Sequence, residues 1–205
     1  VTVVENSDTV TYDEQEHTVT GYKTMTADNT LYTVETNVSE TPTAAWTAKG
    51  TEAGEYPVGI AAADFENKSA NFTNVEFVVV DGALTIEADN AEVTVTITGN
   101  HASKVYNTAE QSVTGYTTDV GSKTISVALK TAGKDTAKGT DVGTYYMGLT
   151  AGDFTVTSSN YSNIKVNVVD GYLEITPITD KVTVTITGNH ASKVYNTAEQ
   201  SVTGY

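Results

Sequence analysis

The 24 residues Val93–Tyr116, VTVTITGNHASKVYNTAEQSVTGY, recur without change as Val182–Tyr205, 89 residues further on. A perfect copy at that spacing marks a tandem array. The interval is too long for one turn of a solenoid and suits a small domain with a core of its own. The 205-residue chain therefore divides, at the level of sequence, into a first repeat (1–90), a second repeat (91–179) and the opening strands of an incomplete third (180–205).

The two longer units share ordered landmarks. Val19-Thr20-Gly21-Tyr22 corresponds to Val113-Thr114-Gly115-Tyr116, and each Gly-Tyr pair ends ten residues after a tyrosine, Tyr12 or Tyr106. Lys49-Gly50-Thr51-x-x-Gly54-x-Tyr56 corresponds to Lys138-Gly139-Thr140-x-x-Gly143-x-Tyr145. Asp64-Phe65 matches Asp153-Phe154, Asn71-Phe72 matches Asn160-Tyr161, and Val79-Val80-Asp81-Gly82 matches Val168-Val169-Asp170-Gly171. From Lys49 onward the offset is a constant 89, but the first repeat carries five extra residues between its Gly-Tyr and Lys-Gly landmarks. That places a length-variable loop there.

Strand patterns dominate. Val93-Thr94-Val95-Thr96-Ile97-Thr98 alternates apolar and hydroxyl residues, so Val and Ile can face a core while Thr faces water. Asp81-Gly82, between Val75–Val80 and Ala83–Glu87, reads as a two-residue type I′ hairpin turn. It would set Val79 opposite Leu84 and Phe77 opposite Ile86, with Val166, Val168, Leu173 and Ile175 in those places in the second repeat. Further strands are expected near 110–118, 123–129 and 143–150, about seven in each repeat. Leu149–Phe154 has room for a single helical turn. The expected fold is all-β: tandem Ig-like antiparallel β-sandwiches of about 90 residues. A β-grasp-like repeat with one short helix is the alternative. The joints Ala88–Glu92 and Thr176–Lys181 are short and not Gly/Ser-rich, so semi-rigid connections are expected. Segment 180–205 cannot bury a core alone; it must pack on its neighbour, pair its strands with another chain, or stay mobile.

Composition excludes several functions. The net charge is −15 and Arg is absent, which opposes nucleic-acid binding through phosphate neutralisation. Residues 1–90 hold 16 acidic side chains against 3 Lys, and residues 91–205 hold 10 against 8, so no charged site is common to the repeats. There is no Cys and no apolar run of membrane-spanning length. No signal peptide opens the sequence.

No catalytic constellation emerges. A Ser or Thr nucleophile would need a base and an orienting acid within reach. The histidines are His17, His101 and its copy His190, and His17 aligns with Gln111 rather than with another histidine. Asp64 and Asp153 are shared by both repeats, and an Asp before an aromatic reads as a cap or turn former. Glu87, Asp89, Asn90 and Glu92 crowd the first joint with hard oxygen ligands of the kind calcium takes. The second joint offers Thr176, Thr179, Asp180 and Lys181 instead, so a solvated acidic linker is the plainer reading and no cofactor is expected. Trp46, the only Trp, and Tyr145 are the aromatic candidates for stacking against a sugar.

Taken in order, Tyr106–Tyr116, Gly139–Tyr145, Asn160-Tyr161 and Val168–Ile175, with their counterparts in the first repeat, resemble the MBG/YDG-type tandem repeats of large bacterial cell-surface proteins. The resemblance spans essentially the whole chain. One departure is that the Gly expected just after the first Tyr is replaced, by Glu14 and by Thr108. The resemblance implies an extracellular location on a bacterial surface and a structural, non-enzymatic role. That role is a stalk or spacer of a repetitive adhesin or fibre, whose partners are the neighbouring repeats of the same chain. The alternative it implies is that the repeats themselves bind host glycan, mucin or protein weakly and gain avidity by number. Proteins of this kind can also carry internal Lys–Asn isopeptide bonds, and Lys49, Asn71 and Asp64 recur as Lys138, Asn160 and Asp153.

Overall fold

A computed structural model describes residues Val1–Tyr205. The fold is all-β, with ten strands in residues 2–87 and ten more in 93–176. The strand β1 (Thr2–Glu5) and its continuation β2 (Asp8–Thr11) open the first repeat. Then come β3 (His17–Thr20), β4 (Tyr22–Thr26), the four-residue helix α1 (Val34–Asn37) and β5 (Val38–Glu40). After them follow β6 (Thr47–Gly50), β7 (Gly54–Pro57), β8 (Phe65–Asn67), β9 (Val78–Val80) and β10 (Ala83–Glu87). The second repeat runs β11 (Val93–Gly99), β12 (His101–Val105), β13 (Gln111–Thr114), β14 (Tyr116–Asp119) and β15 (Ser126–Leu129). It closes with β16 (Thr136–Gly139), β17 (Gly143–Tyr146), β18 (Phe154–Thr157), β19 (Ile164–Val169) and β20 (Tyr172–Thr176).

The sheets are built alike: β4-β1-β9 and β2-β10-β7 in the first repeat, β14-β11-β19 and β12-β20-β17 in the second, with smaller pairs β3-β6, β5-β8, β13-β16 and β15-β18. The alternating pattern of β11 is realised, for Val93, Val95 and Ile97 are buried and the threonines between them lie farther out. One cluster gathers Val3, Ala48, Phe65, Leu84 and Ile86; the other gathers Val95, Ile97, Phe154, Leu173 and Ile175.

The Asp-Gly hairpin does not form. Strand β9 pairs with β1 and strand β10 with β2, in different sheets, and both pairings are parallel. The register offset is the same on both sides of the break: Thr2 faces Val78 and Asp8 faces Leu84. In the second repeat Val93 faces Ile164 and His101 faces Tyr172. Each repeat is thus organised around two long parallel strands, one opening it and one closing it. Both strands break at the same level and pass from one sheet to the other. The expected pairing was wrong but the expected faces were right, since Leu84, Ile86, Leu173 and Ile175 are buried. The purely antiparallel sandwich is corrected on the same ground.

Close approach, rather than turn geometry, demands glycine at the break. A Cβ on Gly82 would stand 2.2 Å from the Asn6 carbonyl oxygen, and one on Gly171 would stand 2.5 Å from that of Asn100. The polar groups freed at the break are satisfied differently in the two repeats. In the first, the buried Glu5 carboxylate accepts the backbone N–H of Ile60 (2.5 Å) and of Gly82 (2.7 Å). In the second, Gly99 stands where Glu5 does, and Asp170 accepts the N–H groups of Gly148 (3.0 Å) and Leu149 (2.9 Å).

The Gly-Thr-x-x-Gly-x-Tyr landmark is a packing device. The Tyr56 ring lies where a Cβ on Gly50 would sit, and its hydroxyl donates to the Glu52 carbonyl at 2.9 Å. Tyr145 repeats this with Gly139 and the Asp141 carbonyl at 3.0 Å. The single helical turn expected in Leu149–Phe154 is present as a 3₁₀ turn, Ala151–Asp153, with a counterpart at Ala62–Asp64. No helix is long and apolar enough to cross a membrane.

The five-residue insertion is anchored by Asp64. Its carboxylate accepts the N–H of Ala61 (2.9 Å), the N–H and hydroxyl of Thr43 (3.0 and 2.8 Å) and the Trp46 indole N–H (2.9 Å). Those donors, Ala61 first, hold the Asp64 carboxyl down to about 2. Asp153 caps its own turn through the Thr150 N–H and hydroxyl, which lower its carboxyl too. A depressed carboxylate stabilises the fold fully above its unfolded value, about 3.9, and that contribution is lost as the pH falls towards about 2. Because Trp46 bonds directly to Asp64, its fluorescence should change across that window in the parent chain. The change should vanish in Asp64→Asn; a parent-like acid limb in the variant would refute the assignment.

Candidate functional site at the repeat joint

The shared Asn-aromatic landmark of the second repeat lies against the first repeat. Asn160 and Tyr161 are both buried, and Tyr161 belongs to the first repeat's core cluster together with Val93. Asn160 accepts the Ala53 N–H at 2.8 Å and donates through Nδ2 to Glu52. Tyr161 packs edge-on against Tyr12, ring centroids 5.5 Å apart, and donates its hydroxyl to Glu14 at 3.1 Å. Lys123 closes the cluster. Its ammonium lies 4.6 Å from the Tyr161 ring centroid, 3.3 Å from the phenol oxygen and 3.8 Å from the Glu14 carboxylate. The hydrogen bond to Tyr161 and the nearby acidic groups raise the Lys123 ammonium's pKa, so it stays charged at neutral pH. Burial, more than the neighbouring phenol and carboxylates, raises the Tyr12 hydroxyl.

The connecting segment is held as well. Asp89 donates its N–H to the Asn160 carbonyl (2.8 Å) and its carbonyl accepts the Ser162 N–H (2.9 Å), a parallel bridge between Asp89 and Tyr161. The Asn90 carbonyl accepts Asn163 Nδ2 at 3.2 Å. The joint is therefore bonded on both flanks, as a short linker without Gly or Ser should be.

Glu14 adopts φ +67° and Thr108 φ +69°, in the left-handed region that favours glycine. These are the two positions where Gly was expected from the sequence resemblance. At Glu14 that backbone conformation presents the carboxylate that Tyr161 and Lys123 meet.

The candidates from sequence are dispersed. Glu92 pairs with Lys165 at 3.5 Å, Asp89 accepts the Ala91 N–H at 2.9 Å, and Glu87 offers its backbone carbonyl to Tyr12. No three acidic or histidine side chains converge as a metal site would require. Lys49 pairs with Glu16 (3.0 Å) and Lys138 with Glu110 (3.4 Å), while Asn160 is bonded at the joint, so the isopeptide partners are not brought together. His17 bonds Asp13 at 2.9 Å. Trp46 is half-buried among Phe65 and Tyr22, and Tyr145 lies against Gly139, so neither offers a free ring.

Sequence reasoning missed a different aromatic group. His101, Tyr172 and Tyr146 stand side by side across β12, β20 and β17. His101 stacks on Tyr172 with centroids 5.5 Å apart, and Tyr146 lies 6.1 Å from Tyr172. Tyr146 is 67% exposed and Tyr172 36%. The pairing register within the β12-β20-β17 sheet was the information needed to align them, and the incorrect hairpin hid it. No family model matches this chain, and no curated protein or solved structure matches it either.

Proposed function

We propose that this chain is a segment of a surface stalk, in which repeats dock end to end and project a binding region from a bacterial cell. The observation that carries the reading is the burial of Asn160 and Tyr161 against the preceding repeat, which makes the joint a packed interface rather than a hinge. The same parts recur one repeat on. Tyr106, Asp141 and Val142 replace Tyr12, Glu52 and Ala53, with Thr108 for Glu14, and six residue steps separate Thr176 from Val182 as they do Glu87 from Val93. A repeat on this plan adds on the order of 30–40 Å of length. Small-angle scattering of the chain should give the distance distribution of one elongated body, unchanged between low and high salt. A broad distribution typical of two freely jointed particles would reject the stalk reading.

A second reading, that the repeats bind glycans, is favoured by one observation, the exposed row His101–Tyr172–Tyr146. Rings on a rigid sheet suit the apolar faces of sugars. The first repeat has Ser7, Ala83 and Pro57 at those positions, so binding would belong to the second repeat alone. On an oligosaccharide array that includes mucin-type glycans, the parent chain would bind and Tyr146→Ala/Tyr172→Ala would not. Absence of binding by the parent, or binding that survives the double substitution, discards this reading.

A further inference from the structure

The exposed face of β12, β20 and β17 carries a second row beside its rings. Leu173 and Ile175 are buried, so the residues alternating with them, Tyr172 and Glu174, face outward. The register sets His101, Tyr172 and Tyr146 in one line across the three strands, and Ser103, Glu174 and Thr144 in the next. Glu174 is therefore the centre of a polar row with a hydroxyl on either side. All three side chains are exposed, and Glu174 belongs to none of the ion pairs. The first repeat has a polar row without the rings. Thr9, Thr85 and Glu55 line up across β2, β10 and β7, while Ala83 and Pro57 stand in the places of Tyr172 and Tyr146.

Resting on the glycan reading of the aromatic row, we propose that this face selects uncharged oligosaccharides, with a pyranose on Tyr146 and with Glu174 excluding acidic sugars. Tyr146 is the outermost ring of the row, 67% exposed, and its plane is tilted 53° from that of Tyr172, which leaves one face open. Thr144 lies two residues along the same strand, about 7 Å away, and Glu174 lies on the diagonal, about 7–8 Å away. A pyranose stacked on Tyr146 projects its equatorial hydroxyls outward from its own ring, towards both. An ionised carboxylate only accepts hydrogen bonds, and its two oxygens can take two neighbouring hydroxyls at once. With strands about 4.8 Å apart, the line from Tyr146 to His101 has room for a second linked sugar.

A sialic acid, uronic acid or sulfate in the same place would set like charges together, the kind of clash that gives specificity. No free cation relieves it. The Lys104 ammonium is held by the Ser112 carbonyl (2.8 Å), and that of Lys134 by the Gly148 carbonyl (2.8 Å), near Asp153. A quaternary ammonium ligand would answer the charge of Glu174, but such ligands are recognised by aromatic cages, and these rings stand in line on a sheet.

The test is an array of matched sets, each neutral oligosaccharide beside its sialylated and its sulfated derivative, read at about pH 8 so that imidazole is neutral. The parent chain should bind neutral members at least about tenfold more tightly than their acidic derivatives. Glu174→Gln, at an exposed position without an ionic partner, should shrink that preference to within about threefold by admitting the acidic forms. Glu76→Gln, which removes one charge from the first repeat, should leave the preference unchanged. No binding by the parent would reject the glycan reading and this inference with it. Binding that requires Tyr146 and Tyr172 but ignores sugar charge, or a preference that survives in Glu174→Gln, would overturn this inference while the glycan reading stood. Displacement of bound sugar by tetramethylammonium would mark a cation site and overturn it as well.

Discussion

Replacing Glu5 with alanine should strip the first repeat of most of its stability and leave the second folded. Glu5 is buried at the break between β1 and β2 and accepts two backbone N–H groups that have no other partner. Hydrogen bonds to a charged group contribute about 1.5–3 kcal/mol each, and removing the acceptor leaves both donors buried. A loss of about 3–5 kcal/mol is expected, against roughly 5–13 kcal/mol for a domain of about 90 residues. The second repeat should be spared because Gly99 stands in the corresponding place and Asp170 supplies the acceptors from the other long strand. Trp46, in the first repeat, reports that unit alone, and amide exchange at Val95, Ile97 and Leu173 reports the other. Glu5→Gln, which keeps an acceptor oxygen, should recover part of the loss. Equal destabilisation of both repeats, or of neither, would refute this account of the break.

The second large effect belongs to Tyr161. Its ring fills the space between Tyr12, Lys123 and Glu14, and truncation of a buried aromatic costs about 3–5 kcal/mol. Because the contacts to Tyr12 and Glu14 cross the joint, Tyr161→Ala should uncouple the repeats rather than unfold either. Thermal unfolding should separate into two transitions where the parent shows stronger coupling, and the scattering profile should broaden. Tyr161→Phe, which removes only the hydroxyl bond to Glu14, should retain most of the coupling. A Tyr161→Ala chain with parent-like coupling would show that the joint is held elsewhere.

Much of the architecture was readable from sequence because it rests on local pattern. The alternation of β11, the 3₁₀ turn before Phe154 and the inward faces of Leu84 and Leu173 all follow from period and turn chemistry. The pairing of β9 with β1 did not, because Asp81-Gly82 is equally suited to a hairpin turn and to a strand break, and only the close approach of Asn6 separates the two. The joint was legible in part. The Asn160-Tyr161 landmark stood out, but nothing local says that an aromatic in a turn is buried by a neighbouring repeat. Two of its partners, Ala53 and Glu14, lie 107 and 147 residues away in sequence. The left-handed residues Glu14 and Thr108 were visible only as departures from a pattern, and the backbone gives those departures a cost. At the acidic joint the ion pair of Glu92 was out of sight, because its partner, Lys165, lies 73 residues away.

The rigid joint is the claim on which the stalk reading depends, and residual dipolar couplings test it most directly. Backbone N–H couplings measured separately for residues 2–87 and 93–176 of the weakly aligned chain should fit one alignment tensor, in the relative orientation fixed by Asn160 and Tyr161. Two tensors of clearly different magnitude would mean that the repeats reorient independently, and would contradict the account.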